Sequence, residues 1–182
     1  MVKSFFGYGS LVNTATHDYP STRPATLQGW CRQWVQSATN NVAFLTVRPD
    51  PHAQIAGLIA DVGDTGWNTL DKREAAYDRK ILKTAGFEGI TIYQAKPSAM
   101  APAGGGKPIL LSYLDCVVQG FNSCYGHDGV RNFFCSTTGW DTAILNDRSA
   151  PIYPRAQPLL PSETQLTDDH IEMVGATVIK GI

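Results

Sequence analysis

Two short stretches of this 182-residue chain carry residue types whose pattern could do chemistry. The first is Phe6-Gly7-Tyr8-Gly9-Ser10-Leu11, a glycine-punctuated segment at the end of an apolar run. Glycines let successive backbone N–H groups turn inward and form a nest that binds a carboxylate or an oxyanion, and Ser10 adds a hydroxyl donor. A plain strand-ending turn has the same look, so this segment alone is a weak signal. The second is Glu74 in Leu70-Asp71-Lys72-Arg73-Glu74-Ala75-Ala76-Tyr77. Trp67, Leu70, Glu74 and Tyr77 fall on one side of a helix, and that side is apolar except at Glu74. A carboxylate there resists ionisation and its pKa rises, which suits a general base working near neutral pH. A solvated Glu at the edge of the face is the commoner fate of this residue type.

Other candidates are weaker. His17, His52, His127 and His170 are scattered without ligand spacing, so no metal is expected. Ser10 lacks the GxSxG elbow of a nucleophilic serine, and Cys124 with His127 reads as a helix end with a buried thiol. Arg148 and Arg155 could grip a substrate carboxylate bidentately, although surface or ion-pair roles are commoner for arginine.

The elements that must position these residues can be read from periodicity and turn signals. Val2–Tyr8 reads as a short buried strand, followed by strands at Leu27–Gln36, Val42–Val47 and Gln54–Val62. Asn40-Asn41 suits a tight turn between the second and third strands, and Pro49-Asp50-Pro51 a turn after the third. Gly57 marks a bulge or a close backbone approach. Asp64 or Thr65 caps a helix with the body Trp67–Tyr77. Strands follow at Arg79–Leu82 and Phe87–Ala95, then a mobile or linking loop at Pro97–Pro108. Ser112 caps the next helix with Asp115 in the capping-box position, Gly126 breaks it, and Asp128–Cys135 forms another. The tail from Asn146 is irregular, with a short helix near Thr167–Met173. Strands first and helices after them predict an α+β fold with a small mixed, barrel-like sheet flanked by helices, in one domain over 1–182.

Composition excludes several classes. Formal net charge is -1, so nothing draws the chain to nucleic acid or to an anionic membrane. No stretch approaches the roughly 20 apolar residues of a membrane span, and the apolar start is too short for a signal peptide. Four cysteines without a CxxC pair read as buried free thiols in a reducing cytoplasm.

FGYGSL, followed roughly sixty residues later by LDxRExxY, resembles the gamma-glutamylcyclotransferase superfamily, which includes the ChaC-type enzymes. LQGWCRQW (27–34), IAGLIADV (55–62) and YLDCVVQG (113–120) resemble family segments too, so the likeness covers roughly 2–122 and leaves 123–182 as a C-terminal extension. The chain departs from the ChaC pattern at Ala75-Ala76, where those enzymes tend to carry glycines. The resemblance implies a small mixed barrel flanked by helices and a gamma-glutamyl amide or peptide as substrate. In this family the substrate's own α-amine attacks its γ-carbonyl, releasing 5-oxoproline and an amine or peptide. It assigns Glu74 as general acid/base and Gly7, Tyr8, Gly9, Ser10 and Leu11, with Tyr113, as substrate-binding residues. No metal or cofactor is needed. The alternatives are a non-catalytic small-molecule binding module that keeps the same pocket, and an enzyme that makes or transfers gamma-glutamyl groups in biosynthesis.

Overall fold

The structure, a computed structural model, describes residues 3–63 and 66–180. It is built on a six-stranded mixed sheet in the order β4-β5-β1-β3-β2-β7. The strands are β1 (Ser4–Gly7), β2 (Arg23–Gln36), β3 (Ala43–Asp61), β4 (Tyr77–Ile81), β5 (Ile90–Ala95) and, paired in parallel with β2 at one edge, β7 (Thr137–Thr138). A second sheet joins β6 (Ile109–Leu110), β8 (Ile144–Asn146) and β9 (Val178–Lys180), all parallel. Three helices complete the fold: α1 (Gly66–Arg73), α2 (Leu111–Cys135) and α3 (Pro161–Met173). The α+β class and the mixed sheet agree with the sequence reading, with the six strands forming an ordered row and not a closed barrel.

β1 is the hinge of the architecture because its two phenylalanines point to opposite faces. Phe6 joins the main core, where β2, β3 and β5 meet α2 through Leu114, Val117, Val118 and Phe121. Phe5 joins a smaller cluster on the other face with Ala60, Tyr93, Leu11 and Leu70 of α1. The chain that leaves β1 therefore passes between the two cores: Tyr8 and Val12 pack into the first, Leu11 into the second. Residues 55–60 of β3 are buried on both faces, as expected of a strand flanked by β1 and β2, and read as an unbroken apolar run.

Several sequence expectations are corrected. The third and fourth expected strands are one, and Pro49-Asp50-Pro51 does not reverse the chain. The register runs from Trp30↔Pro49 to Gln28↔Gln54, so residues 50–53 oppose the single Gly29, which takes φ +82°. The prolines mark this bulge, which is held by Asp50 accepting from the His52 N–H at 3.1 Å and pairing with Arg48. Asn40-Asn41 lies in a six-residue connection (37–42), where Ser37 Oγ accepts from the Thr39 and Asn40 amides, and not in a tight turn. α1 stops at Arg73, so Tyr77 belongs to β4 and not to the helix. Its proposed caps, Asp64 and Thr65, lie outside the described residues, as does Val2. The strand expected over Phe87–Ala95 starts only at Ile90.

Ser112 does not cap α2. Its own amide and hydroxyl both donate to Asp147, at 2.8 and 2.6 Å, while Asp115 pairs with Arg148 at 2.7 Å. Gly126 does interrupt that helix, with φ 67° and ψ -167°. α3 begins at Pro161, six residues ahead of expectation, and Ile144, Leu166 and Ile171 share the main core. The extension is therefore packed into the same core and caps the helix that carries Tyr113. All four cysteines are free, but Cys135 is exposed and Cys124 only half-buried.

Gly57 is a place of close approach, as its position in the β3 run suggested. A Cβ there would lie 2.3 Å from the Gly7 carbonyl oxygen and 2.5 Å from Phe6 Cζ. Backbone on one side and a core ring on the other leave no easy relief. Gly57→Ala is expected to lower stability by about 1–3 kcal/mol, typical of overpacking, and equilibrium urea unfolding checks it.

Candidate active site

The chain turns away from the sheet at Gly7, the last residue of β1, into a single 3-10 turn at Ser10–Val12. Gly7 and Gly9 are required for space: a Cβ on Gly7 would meet Leu11 Cβ at 2.7 Å, and one on Gly9 the Tyr113 hydroxyl at 2.7 Å. The turn closes through Val12 N–H to Gly9 O and Asn13 N–H to Ser10 O. Outside the turn itself the N–H groups of Gly9, Ser10 and Leu11 meet no backbone carbonyl among the described residues, and that of Ser10 faces the Tyr113 hydroxyl. Asn13 fixes the far end of the turn to α2 by donating to Cys116 O and Gln119 Oε1, both at 2.9 Å. Gly120 permits this docking, since a Cβ there would lie 2.6 Å from the Asn13 nitrogen. The segment YLDCVVQG thus seats the loop.

Glu74 stands at the end of α1, where its N–H still bonds to Leu70 O and its carbonyl accepts from Tyr77 N–H. This tight turn feeds directly into β4. Leu70 anchors the helix in the smaller core while Ala75 and Ala76 face solvent. The Glu74 side chain points inward and is 16% exposed. Burial raises its pKa, and the nearby Arg73 and Arg155 oppose that shift without cancelling it. Arg73 Nε lies 3.4 Å from Glu74 Oε1, and no hydrogen bond to the carboxylate is found among the described residues.

Glu74 and the loop border the same small cavity, about 30 Å³, lined by Phe6, Gly7, Tyr8, Gly9, Ser10, Leu11, Leu45, Glu74, Tyr77 and Tyr113. All seven residues singled out in the sequence for the site are therefore brought together. Three of the lining residues, Phe6, Leu45 and Tyr77, were not. Tyr77 stood in the LDxRExxY motif, so its signal was present; Leu45 had none beyond being an apolar strand residue.

The phenols around the carboxylate are held in place from behind. Tyr8 donates to Tyr93 O at 2.6 Å and Tyr77 to Leu45 O at 2.8 Å. Tyr113 packs edge-on between Trp34 and Tyr153. Burial and the Glu74 charge push all three hydroxyls above the usual phenol range, so they stay neutral and act as fixed dipoles.

Arg73 ties the parts together. Its guanidinium donates to Thr16 O at 3.2 Å and reaches Ser10 Oγ at 3.4 Å. His17 braces the same loop from outside: Tyr19 N–H donates to Nδ1, so the proton sits on Nε2, which donates to Leu11 O at 3.0 Å. Its burial lowers its pKa and favours this neutral form. Of the two arginines singled out in the extension, Arg148 is structural, paired with Asp115 and Asp168. Arg155 lies near the site. Among the described residues no group of three or more His, Cys, Asp or Glu is placed to hold a metal ion, and no helix is long and apolar enough to cross a membrane.

No protein-family model matches the chain, and no curated protein matches it. Solved structures do. One is a gamma-glutamyl cyclotransferase, 15% identical, matched over 92% of this chain and 98% of its own with a TM-score of 0.53. The human protein loc79017 is 15% identical and matches over 91% and 98%, with a TM-score of 0.53. YkqA from Bacillus subtilis is 15% identical with a TM-score of 0.56, over 75% of this chain and 56% of that one. The first two matches run well beyond residue 122, in keeping with an extension packed into the common core. At the level of the whole chain, this protein has the fold of that gamma-glutamyl cyclotransferase structure.

Proposed function

We propose that this protein is a gamma-glutamylcyclotransferase-type enzyme that releases 5-oxoproline from a gamma-glutamyl amide or peptide. The observation that carries the reading is the Glu74 carboxylate, buried beside the amide-rich turn at Gly9–Leu11 and lining one cavity with it. The fold match supports it.

On this reading the reaction uses that arrangement as follows. Amides of Gly9–Leu11 and the Ser10 hydroxyl hold the glutamyl group, while the phenols of Tyr8, Tyr77 and Tyr113 shape its enclosure. Ionised Glu74 takes a proton from the substrate's α-ammonium. The freed amine attacks the γ-carbonyl carbon, and Glu74 returns the proton to the amide nitrogen as the old C–N bond breaks. The second proton of the attacking nitrogen passes to the leaving amine, which departs as its ammonium while the lactam is left neutral. Attack within one molecule gains most from being held folded, with effective molarities of about 10⁵–10⁸ M for well-oriented groups. A cavity of about 30 Å³ has room for roughly one water, so a glutamyl group is accommodated only as the cavity opens.

Two predictions follow from placing a carboxylate here. First, 5-oxoproline release is to be assayed across glutathione, gamma-glutamyl dipeptides and gamma-glutamylamines. Glu74→Gln is expected to reduce turnover by about 10²–10⁴-fold, the usual contribution of acid–base catalysis. The acid limb of kcat/KM should lie above the ordinary Glu value of 4.5, and Arg73→Gln should move it higher by removing the cation that favours ionisation. Release from no member of the panel, or full turnover by Glu74→Gln, overturns the assignment; the first outcome leaves a binding module with the same pocket.

Second, the site costs stability. A carboxyl whose folded pKa is raised stabilises the fold fully below its ordinary pKa and loses that contribution as pH rises through the folded value. Glu74→Gln cannot ionise, so it should be more stable than wild type at pH 7, with the difference disappearing as pH falls towards 4. Urea unfolding across that range reads both the sign and the trend.

A further inference from the structure

Next to the small cavity lies a much larger one, about 950 Å³, between the 16–20 segment, the Val62–Gly63 corner, α1 and Arg155. Arg73 links the two: it lines the larger cavity and reaches Ser10 Oγ and Glu74, which line the smaller. His17, also in the larger wall, bonds to the Leu11 carbonyl of the cradle. A substrate whose glutamyl group lies at Glu74 therefore has a natural exit for the rest of its length in this direction.

The larger cavity has a distinct charge. Among its described lining residues are Lys72, Arg73 and Arg155 against Asp18 alone, an excess of cations that the chain's net charge of -1 does not lead one to expect. Arg155 is the telling member. It is half-buried, yet among the described residues its guanidinium has no hydrogen bond and no ion pair, whereas Arg148, seven residues earlier, is held by two aspartates. A guanidinium fork left open at a cavity matches the geometry of a carboxylate. Tyr19, whose ring meets Phe5 edge-on at 5.1 Å, gives the same cavity an aromatic wall.

We propose that this cavity receives the leaving part of the substrate and selects leaving groups that carry a free carboxylate, which Arg155 binds. The inference rests on the cyclotransferase reading and narrows it: the preferred substrates are gamma-glutamyl amino acids or peptides, with room for a large side chain, and not gamma-glutamylamines.

A matched pair tests it: gamma-glutamyl-phenylalanine and gamma-glutamyl-phenethylamine, which differ only in the carboxylate. Wild type should favour the first by about tenfold or more in kcat/KM, the scale of a hydrogen-bonded ion contact. In Arg155→Gln the ratio should fall towards one, and Arg155→Lys should retain part of it. Equal kcat/KM for the two in wild type, or a ratio unchanged in Arg155→Gln, overturns the selectivity while leaving the cyclotransferase reading intact. Calorimetry of free phenylalanine and phenethylamine with wild-type protein asks the same question without turnover. Tighter binding of phenylalanine supports a carboxylate site even if neither amide releases 5-oxoproline; equal or absent binding of both counts against it.

Discussion

The site depends on one imperfectly compensated charge. Glu74 is drawn out of water by the end of α1 and the phenols facing it, and its nearest cation, Arg73, stands 3.4 Å away with no hydrogen bond to complete the pairing. A closer, bidentate pair would favour the ionised carboxylate more strongly; without the cation its pKa would lie higher still. Much of the surrounding structure serves this intermediate condition. Leu70 and Phe5 hold α1 against the sheet, and the turn into β4 directs Glu74 inward. Arg73 is itself oriented by Thr16 and Ser10, so the cradle and the carboxylate share one brace.

The second constraint is close packing of backbone. Gly57 on β3 lets the Gly7 carbonyl and the Phe6 ring approach, Gly9 makes room for the Tyr113 hydroxyl, and Gly120 lets α2 press against Asn13. These three contacts fix the loop after β1 from three sides. From the far end of the chain, Asp147 caps α2 and Arg148 clamps it to α3, so the orientation of Tyr113 depends on residues more than thirty positions later. Where α1 ends also matters: a helix continued to Tyr77 would carry Glu74 round with its axis, whereas stopping at Arg73 commits Tyr77 to β4 and to the Leu45 carbonyl.

The glycine-rich loop and Glu74 were each a weak signal alone, and became legible through the resemblance that joins FGYGSL to LDxRExxY. Gly57 was legible as a glycine inside an apolar strand run. What the sequence hid were features set by tertiary partners. Pro49-Asp50-Pro51 has the composition of a turn but sits in a bulge, because β2 continues alongside it through Gly29. The cap of α2 comes from Asp147, distant in sequence, so the local Ser112/Asp115 pattern pointed to the wrong donor. β8 and β9 are three residues each, too short to show a period. Arg148 and Arg155 look alike in the sequence; only the fold separates the one between two aspartates from the one at a cavity.

Glu74 is a desolvated carboxylate whose ionisation is displaced upward by burial and restrained by Arg73 and Arg155. A pH titration of its side-chain carboxyl by ¹³C NMR, assigned by its loss in Glu74→Gln, addresses this directly. A midpoint above the ordinary 4.5, moving further up in Arg73→Gln, is the result the account predicts. A midpoint at or below 4.5 in wild type would contradict it, for Glu74 would then be an ordinary solvated or ion-paired residue.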